Sequence, residues 1–282
     1  MKRILIPTDF SANAWNTILY AMELYKNTPC EFHILNTYEV KPVQLISTVS
    51  SQRVGHYYDA VKIESKEGLE MILEDISNSG PDPKHIFKTF SKSGSLLEIV
   101  AQMTVADHFD QIVIGTKGAT GAKEIFLGSN THRIIKNIEC CPILVVPDDV
   151  FFENITNIAF ATNFERVYYK SEITPILQLA KQQGATVRMI HVYDKPELDI
   201  VQTYNSTSLE RYFKDIKHDF HVIHNFSNLE KAIQSFIEEL EVNLLVMINY
   251  EHSFIERLTR ESVIKKMTFH TTIPFLVIPS DN

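Results

Sequence analysis

The feature that most constrains the fold is an internal repeat of strand-like and helix-like segments. The first half begins with the apolar run KRILIP, an amphipathic stretch AWNTILYAMELYKN and a second apolar run EFHILNTY. The second half repeats this order with NITNIAF, YKSEITPILQLAKQQ and ATVRMIHVY, and the halves close on the similar hexapeptides PILVVP and PFLVIP. Two copies of one plan in a chain of 282 residues predict two similar domains.

The later segments of each half continue the alternation of strands and helices. HIFKTF and FHVIHNF are typical of third strands, and QIVIG and NLLVMIN of fourth strands, each preceded by a helix-like run. Strands that alternate with helices of ten or more residues predict right-handed, parallel βαβ units. We therefore expect an α/β fold with two tandem domains, 1–149 and 150–282, each a five-stranded, mainly parallel sheet flanked by helices.

Composition and charge exclude several classes of partner. Apolar residues make up 44% and charged residues 22%, and no apolar run approaches the length of a membrane span. The net charge of −8 is divided evenly between the halves, so neither half offers a basic surface for nucleic acid. The short N-terminal apolar run and the unpaired spacing of Cys30, Cys140 and Cys141 favour a cytoplasmic protein.

A glycine-rich stretch, GTKGATGAKEIFLGSNT, follows the fourth strand of the first half. In an open parallel sheet, ligands bind at the carboxyl ends of strands where the strand order reverses. Gly115 and Gly118 can adopt positive φ and let the backbone pass close to a bulky group. Gly128 leads into a helix whose first N–H groups, together with the hydroxyls of Ser129 and Thr131, favour a phosphate. The stretch fits neither GxxxxGK[ST] nor a first-turn GxGxxG.

The spacing Gly115-x2-Gly118-x9-Gly128-Ser129, together with the N-terminal ILIPTDFS, resembles the universal stress protein family and its nucleotide-binding branch. The second half is similar to the same family in the order of its elements but not in the glycine motif. The resemblance implies a tandem universal stress protein whose domains are Rossmann-like, of the adenine nucleotide alpha hydrolase-like type.

The resemblance also implies which residues bind ATP. Asp9 would accept a hydrogen bond from the adenine, while Pro7 and Thr8 shape the wall of the pocket. Thr37, in a position that is usually a small apolar residue, would contact the base or ribose, and Ile114 would line the base pocket. The residues that would follow the ribose and phosphates are Gly115, Gly118, Gly128, Ser129, Asn130 and Thr131.

Simpler interpretations exist for three of the features in the sequence. Asp9 could cap the helix that begins near Ser11, since Asp and Ser are common at helix starts. His218, His221 and His224 invite a metal site, but on a strand the middle histidine faces away from the other two. We therefore expect no metal site from protein side chains. The Cys140–Cys141 pair precedes a core strand, where thiols usually behave as small apolar groups.

The second half has lost the features that would bind a nucleotide. Asn163 replaces the carboxylate of Asp9, and MINYEH stands where the glycine loop should be. Arg260 and Glu261 occupy the places of Gly128 and Ser129, so side chains and a negative charge would meet the phosphate. Its single glycine, Gly184, is expected to end a helix. The sequence thus predicts one nucleotide per chain.

The resemblance implies a stress-response protein in which ATP, with or without Mg²⁺, alters conformation or partner binding. The degenerate half would pair with the first as an intramolecular pseudo-dimer, and a homodimer is a further assembly that the family allows. Two alternatives remain open at this point. One is a slow ATPase or phosphotransferase, for which no catalytic set is evident in the sequence; the other is a nucleotide-free interaction scaffold.

Overall fold

The structure is a computed structural model that describes residues 1–39, 51–116, 128–193, 197–224, 235–250 and 273–281. The described residues divide into two compact units, one up to Ile138 and the other from Glu139 onward. Each unit is an α/β arrangement.

The first unit contains a four-stranded parallel sheet in the order β3-β2-β1-β4. Its central strands are buried along most of their length, which is typical of a parallel sheet with helices on both faces. The elements of this unit are β1 (Lys2–Pro7), α1 (Ala12–Leu24), β2 (Cys30–Tyr38), α2 (Ser51–Asn78), β3 (His85–Ser93), α3 (Leu96–Ala106), β4 (Gln111–Gly115) and α4 (Ser129–Asn137).

The second unit contains a six-stranded sheet in the order β5-β10-β9-β6-β7-β8. All neighbouring strands are parallel except β5 and β10, which pair antiparallel with Leu144 beside Leu276. The prediction of mainly parallel α/β sheets flanked by helices is confirmed. The elements of this unit are β5 (Ile143–Val146), β6 (Asn157–Ala161), α5 (Lys170–Gln183), β7 (Thr186–Tyr193), α6 (Ile200–Phe213), β8 (His218–His224), β9 (Leu244–Asn249) and β10 (Phe275–Pro279).

The closing strands of the two repeats pair with each other. The closing strand of the first repeat, β5, lies in the second compact unit, where it is hydrogen-bonded to β10. The second repeat has the expected five parallel strands, in the order β8-β7-β6-β9-β10. Both closing strands are apolar and buried, as expected for strands inside a sheet that is covered on both faces.

Strand pairing establishes which residues correspond in the two repeats. Ile4 of β1 lies beside Gln111 of β4, and Ile158 of β6 lies beside Leu244 of β9. Counted along these registers, Gly115 corresponds to Ile248. In each repeat the second and third strands lie on one side of the first strand, and the fourth strand lies on its other side. The strand order therefore reverses between β1 and β4 and between β6 and β9. A doubly wound sheet binds ligands at such a switch point.

Local sequence accounts for the ends of the helices. Gly184 ends α5 in the left-handed conformation, with φ 67° and ψ 24°, as expected from the sequence. The Ser95 hydroxyl caps α3 by accepting a hydrogen bond from the Glu98 N–H. Within the described ranges, no helix is both long and apolar enough to cross a membrane.

Candidate functional site

The loop after β1 is held tightly in place by its neighbours. Thr8 is buried, its N–H donates to the Leu35 carbonyl at 2.8 Å, and its carbonyl accepts from the Asn36 amide at 2.8 Å. The Phe10 N–H donates to the Thr8 hydroxyl at 3.1 Å. Because β2 anchors Thr8 in this way, the exposed Asp9 side chain projects from a fixed backbone at the carboxyl end of β1.

Asp9 is not the cap of the helix that follows. α1 begins at Ala12, and its N-cap is Ser11, whose hydroxyl accepts from the Ala14 N–H at 3.2 Å. Asp9 instead accepts from the Ser11 N–H at 3.1 Å, within the loop. The interpretation of Asp9 as a helix cap is therefore wrong, because Ser11 fills that role.

Gly115 ends β4, beside β1 in the sheet, and it is required there by close packing. A Cβ on Gly115 would lie 2.1 Å from Asn13 Oδ1, 2.9 Å from Asn13 Cγ and 3.1 Å from Thr17 Oγ1. Gly115 does not use the positive φ that glycine allows, since the residue continues β4 and is absent from the described glycines with positive φ. The group that approaches it closely is α1, and an approach to a ligand stays a prediction.

The start of α4 is tied to the end of β4 by two hydrogen bonds. The Thr131 hydroxyl donates to the Gly115 carbonyl at 2.7 Å, and the Gly128 N–H donates to the Thr116 carbonyl at 2.5 Å. Gly128 is the N-cap of α4 and supplies no side-chain hydrogen bond. Since the exposed Ser129 and Asn130 follow it, the first N–H groups and the positive end of the helix dipole suit an anion such as phosphate.

The predicted site residues lie at the carboxyl ends of three adjacent strands, β2, β1 and β4. Pro7 is buried at the end of β1, and Ile114 is buried in β4. Thr37 is half-buried near the end of β2. Because parallel neighbours end at the same edge of a sheet, the structure brings these positions together with Asp9 and Gly115. Gly118 lies outside the described residues.

The second switch point is occupied by side chains of the chain itself. The Tyr250 hydroxyl donates to Asn163 Oδ1, so the residue that replaces Asp9 is bonded to a residue that follows β9. Asn163 Nδ2 also donates to Glu165 Oε2 at 2.6 Å. Burial raises the pKa of Tyr250 well above its usual range, which keeps the phenol protonated as a donor. The sequence placed Tyr250 within the segment that replaces the glycine loop, but its contact with Asn163 joins residues far apart in the chain and no local pattern marks it.

Arg166 completes this filling of the second switch point. Its guanidinium lies 5.0 Å from the ring centroid of Tyr250, within the range of a cation–π contact. It also donates to Glu172 Oε1 at 2.5 Å, so the charge is paired with a carboxylate of α5. Tyr250, which donates to Asn163, thus packs against an arginine that is paired with Glu172. Arg260 and Glu261, which the sequence placed at the lost phosphate loop, lie outside the described residues.

The loop after the first strand nevertheless has the same backbone conformation and hydrogen bonds in both repeats. The Thr162 hydroxyl accepts from the Phe164 N–H at 3.2 Å, and Asn163 Oδ1 accepts from the Glu165 N–H at 3.2 Å, as Thr8 and Asp9 do in the first repeat. Phe164 has φ 57° and the corresponding phenylalanine of the first repeat has φ 64°. The second repeat has therefore kept the loop and changed the side chains around it.

His191→Asn is expected to make the unfolding of the second unit less sensitive to mild acid. Nδ1 of the buried His191 donates to the Thr162 carbonyl at 3.1 Å, and Asn36 makes the same bond to Thr8 in the first repeat. Burial lowers the pKa of His191, so the unfolded state takes up a proton first and stability is lost as pH falls below about 6.5. The asparagine keeps the donor and cannot titrate.

Thermal unfolding midpoints between about pH 7 and pH 5 measure this effect, because that window spans the ordinary pKa of histidine. On acidification, the unfolding midpoint should fall less in His191→Asn than in the unmodified chain. His108→Asn, at an exposed position, is the control and should leave the loss unchanged. An equal loss in all three proteins would contradict the assignment.

Two of the histidines of β8, His218 and His221, have separate partners. The strand places His218 and His221 in separate interactions: His218 Nδ1 donates to the Ile216 carbonyl at 2.8 Å, while His221 Nε2 lies 2.9 Å from Asp219 Oδ1. No group of three potential metal-ligating side chains is present among the residues that the structure describes.

An open, mainly parallel α/β sheet with a carboxylate and a glycine-capped helix at its switch point defines the class of doubly wound α/β proteins with a ligand crevice. Comparison with known families then places the chain within that class. The model of the universal stress protein family matches residues 1–147. The chain belongs to the universal stress protein family.

Individual relatives agree with this placement. Universal stress protein MJ0531 of Methanocaldococcus jannaschii is 28% identical over 145 residues, which is 51% of this chain and 81% of the relative. Universal stress protein Slr1230 of Synechocystis is 24% identical over 294 residues, covering 98% of this chain and 99% of the relative. A universal stress protein structure from Archaeoglobus fulgidus has a TM-score of 0.71 at 20% identity and covers 98% of both chains, which shows a common fold.

Proposed function

We propose that the first repeat binds ATP, or a related adenine nucleotide, at the switch point between β1 and β4. The observation that carries the proposal is the meeting of the exposed Asp9 with the glycine-capped start of α4 on adjacent strand ends. A carboxylate oxygen can accept from the amino group of adenine, and the helix N-terminus suits phosphate. The residues that would hold the nucleotide are Pro7, Thr8, Asp9, Thr37, Ile114, Gly115, Gly118, Gly128, Ser129, Asn130 and Thr131.

The same geometry supports a stoichiometry of one nucleotide per chain. In the second repeat the Asn163 amide is already engaged by Tyr250 and Glu165, and Ile248 stands in the place of Gly115. A nucleotide would have to displace Tyr250 and the arginine stacked on it. The second repeat would then serve as the structural half of a pseudo-dimer, an idea supported by the antiparallel pairing of the two closing strands.

The biological role that follows is regulatory. Nucleotide occupancy of the first repeat would alter the conformation or the partner surface of the chain during a stress response in the cytoplasm. The three free cysteines, of which Cys30 and Cys141 are buried, accord with a reducing compartment. Association into a homodimer would be a further level of the same assembly.

Nucleotide content is the direct test of this proposal. Acid release from the purified chain, followed by chromatography and mass spectrometry, should yield adenine nucleotide at no more than one per chain. Calorimetric titration of the nucleotide-free chain with ATP should give one site. The absence of released nucleotide together with no heat of ATP binding would refute the proposal, and two sites would refute the asymmetry between the repeats.

Asp9→Asn is expected to weaken ATP binding about tenfold, since a hydrogen bond to a charged acceptor is stronger than one to a neutral acceptor. The second repeat shows that asparagine is compatible with this loop, because Asn163 makes the equivalent bond to a backbone N–H. The substitution therefore removes charge without unfolding the loop. Glu74→Gln, exposed on α2, is the matched control and should bind ATP normally.

Two further measurements separate the alternative functions. Release of inorganic phosphate from ATP in the presence of Mg²⁺ would add slow hydrolysis or phosphotransfer to the binding function. Unchanged partner binding after loss of nucleotide would instead favour the interaction scaffold.

A further inference from the structure

Helix α2 approaches the loop that carries Asp9 at Gly68. Gly68 is buried in the interior of α2, against the ring of Phe10. A Cβ on Gly68 would lie 2.6 Å from Phe10 Cζ and 2.8 Å from Cε1 and Cε2. Glycine is a poor helix former, so its presence in the interior of a long helix needs a reason. The close approach of the Phe10 ring supplies that reason.

Phe10 occupies an uncommon backbone conformation directly after Asp9. Its φ of 64° is left-handed, which is rare for a bulky residue, and the residue is 40% exposed. Such a conformation persists where its surroundings hold it. The Thr8 hydroxyl accepts a hydrogen bond from the Phe10 N–H, and Gly68 packs against the Phe10 ring. The turn that orients Asp9 therefore depends on α2.

The second repeat holds the equivalent loop with the equivalent helix but with different chemistry. In α6, the Asn205 amide donates to the Phe164 carbonyl at 2.8 Å, and Gln202 Nε2 donates to the Asn163 carbonyl at 3.0 Å. Asn205 is buried, as Gly68 is. Two repeats with different sequences thus place a helix against the same left-handed phenylalanine, which indicates a role for that contact beyond filling space.

We propose that Gly68 is a positioning residue for Asp9 and makes α2 part of the adenine-recognition site. The inference rests on the proposed function, because it needs Asp9 to accept a hydrogen bond from the adenine amino group. A side chain at position 68 would displace the Phe10 ring, release the left-handed turn and move the Asp9 carboxylate. Recognition of the base should suffer, whereas binding of the triphosphate at α4 should not.

Titration with two nucleotides tests this inference. ATP carries the amino group that Asp9 would recognise, and inosine triphosphate carries an oxygen in its place. Gly68→Ala should lower the affinity for ATP about tenfold, the effect of losing one hydrogen bond to a charged group, and leave that for inosine triphosphate unchanged. Glu67→Ala, at the exposed neighbouring position on α2, should change neither affinity.

A compensating substitution distinguishes positioning from a general disturbance of the helix. Leucine at position 10 lacks the outer ring atoms that a Cβ at position 68 would meet. Gly68→Ala combined with Phe10→Leu should therefore recover part of the preference for ATP over inosine triphosphate. If Gly68→Ala fails to fold, Phe10→Leu alone measures the same contact and should reduce that preference.

The outcomes separate this inference from the proposed function. A wild-type chain that binds neither nucleotide overturns the proposed function, and this inference with it. A wild-type chain that prefers ATP, together with a folded Gly68→Ala chain that keeps the same preference, overturns the positioning role alone. A lower unfolding midpoint with an unchanged preference would likewise reduce Gly68 to a structural residue and overturn the inference.

Discussion

Gly115→Ala is expected to lower the free energy of unfolding of the first unit by about 3 kcal/mol, the upper part of the usual range for overpacking a core. The new Cβ would lie 2.1 Å from Asn13 Oδ1 and 3.1 Å from Thr17 Oγ1, and both side chains belong to the buried face of α1. The helix would have to move away from β4. Thermal or denaturant unfolding of the purified variant measures the loss.

The same substitution should also abolish high-affinity ATP binding. The Gly115 carbonyl accepts from the Thr131 hydroxyl, so any shift at the end of β4 is passed to the first turn of α4. Because that turn is the proposed phosphate site, calorimetry should show weaker binding of both ATP and inosine triphosphate. This pattern differs from the selective loss of ATP binding expected for Gly68→Ala.

Asn13→Ala provides the control for this prediction. It removes the two atoms nearest the added Cβ, so the Gly115→Ala, Asn13→Ala double variant should unfold at a higher temperature than Gly115→Ala alone. Replacing glycine by alanine where there is room usually stabilises a protein, because the unfolded chain loses entropy. A Gly115→Ala chain as stable as the wild type would therefore show that α1 does not need the glycine.

Glu172→Gln is expected to destabilise the second unit by about 3 kcal/mol, the usual effect of breaking a buried ion pair. The Glu172 side chain is fully buried and accepts from Arg166 at 2.5 Å, from the Tyr169 N–H at 2.8 Å and from the Asp281 N–H at 3.1 Å. Glutamine would leave the Arg166 guanidinium without a counter-charge. Its amide NH₂ would also face groups that are themselves hydrogen-bond donors. The denaturant unfolding curve of the variant measures the change.

Two further variants test whether the ion pair itself is responsible. Among the described residues, Arg166 Nη1 is buried without a hydrogen-bond partner, so Glu172 is the group that compensates its charge. Adding Arg166→Met to Glu172→Gln should recover part of the loss, since no uncompensated charge then remains buried. Glu210→Gln, exposed on α6, is the matched control and should be neutral. A fully additive double variant would contradict this account.

Local patterns were sufficient to predict the class of fold. The alternation of strands and helices, the repeat of that order and the Gly184 stop depend on residues close together in the chain, and the elements that the structure describes agree with them. The pairing of β5 with β10 could not be predicted in this way. It joins residues far apart in the chain, such as Leu144 and Leu276, so no local pattern specifies it.

The same distinction between local sequence patterns and tertiary contacts applies to the candidate site. The sequence by itself determined the family-like motifs, the position of Asp9 after the first strand and the loss of glycines from the second repeat. Tertiary structure decided why Gly115 must be glycine, how Gly68 meets Phe10 and how Tyr250 occupies the second switch point. These are contacts between residues far apart in the chain, and their close approach exists only once the helices pack on the sheet.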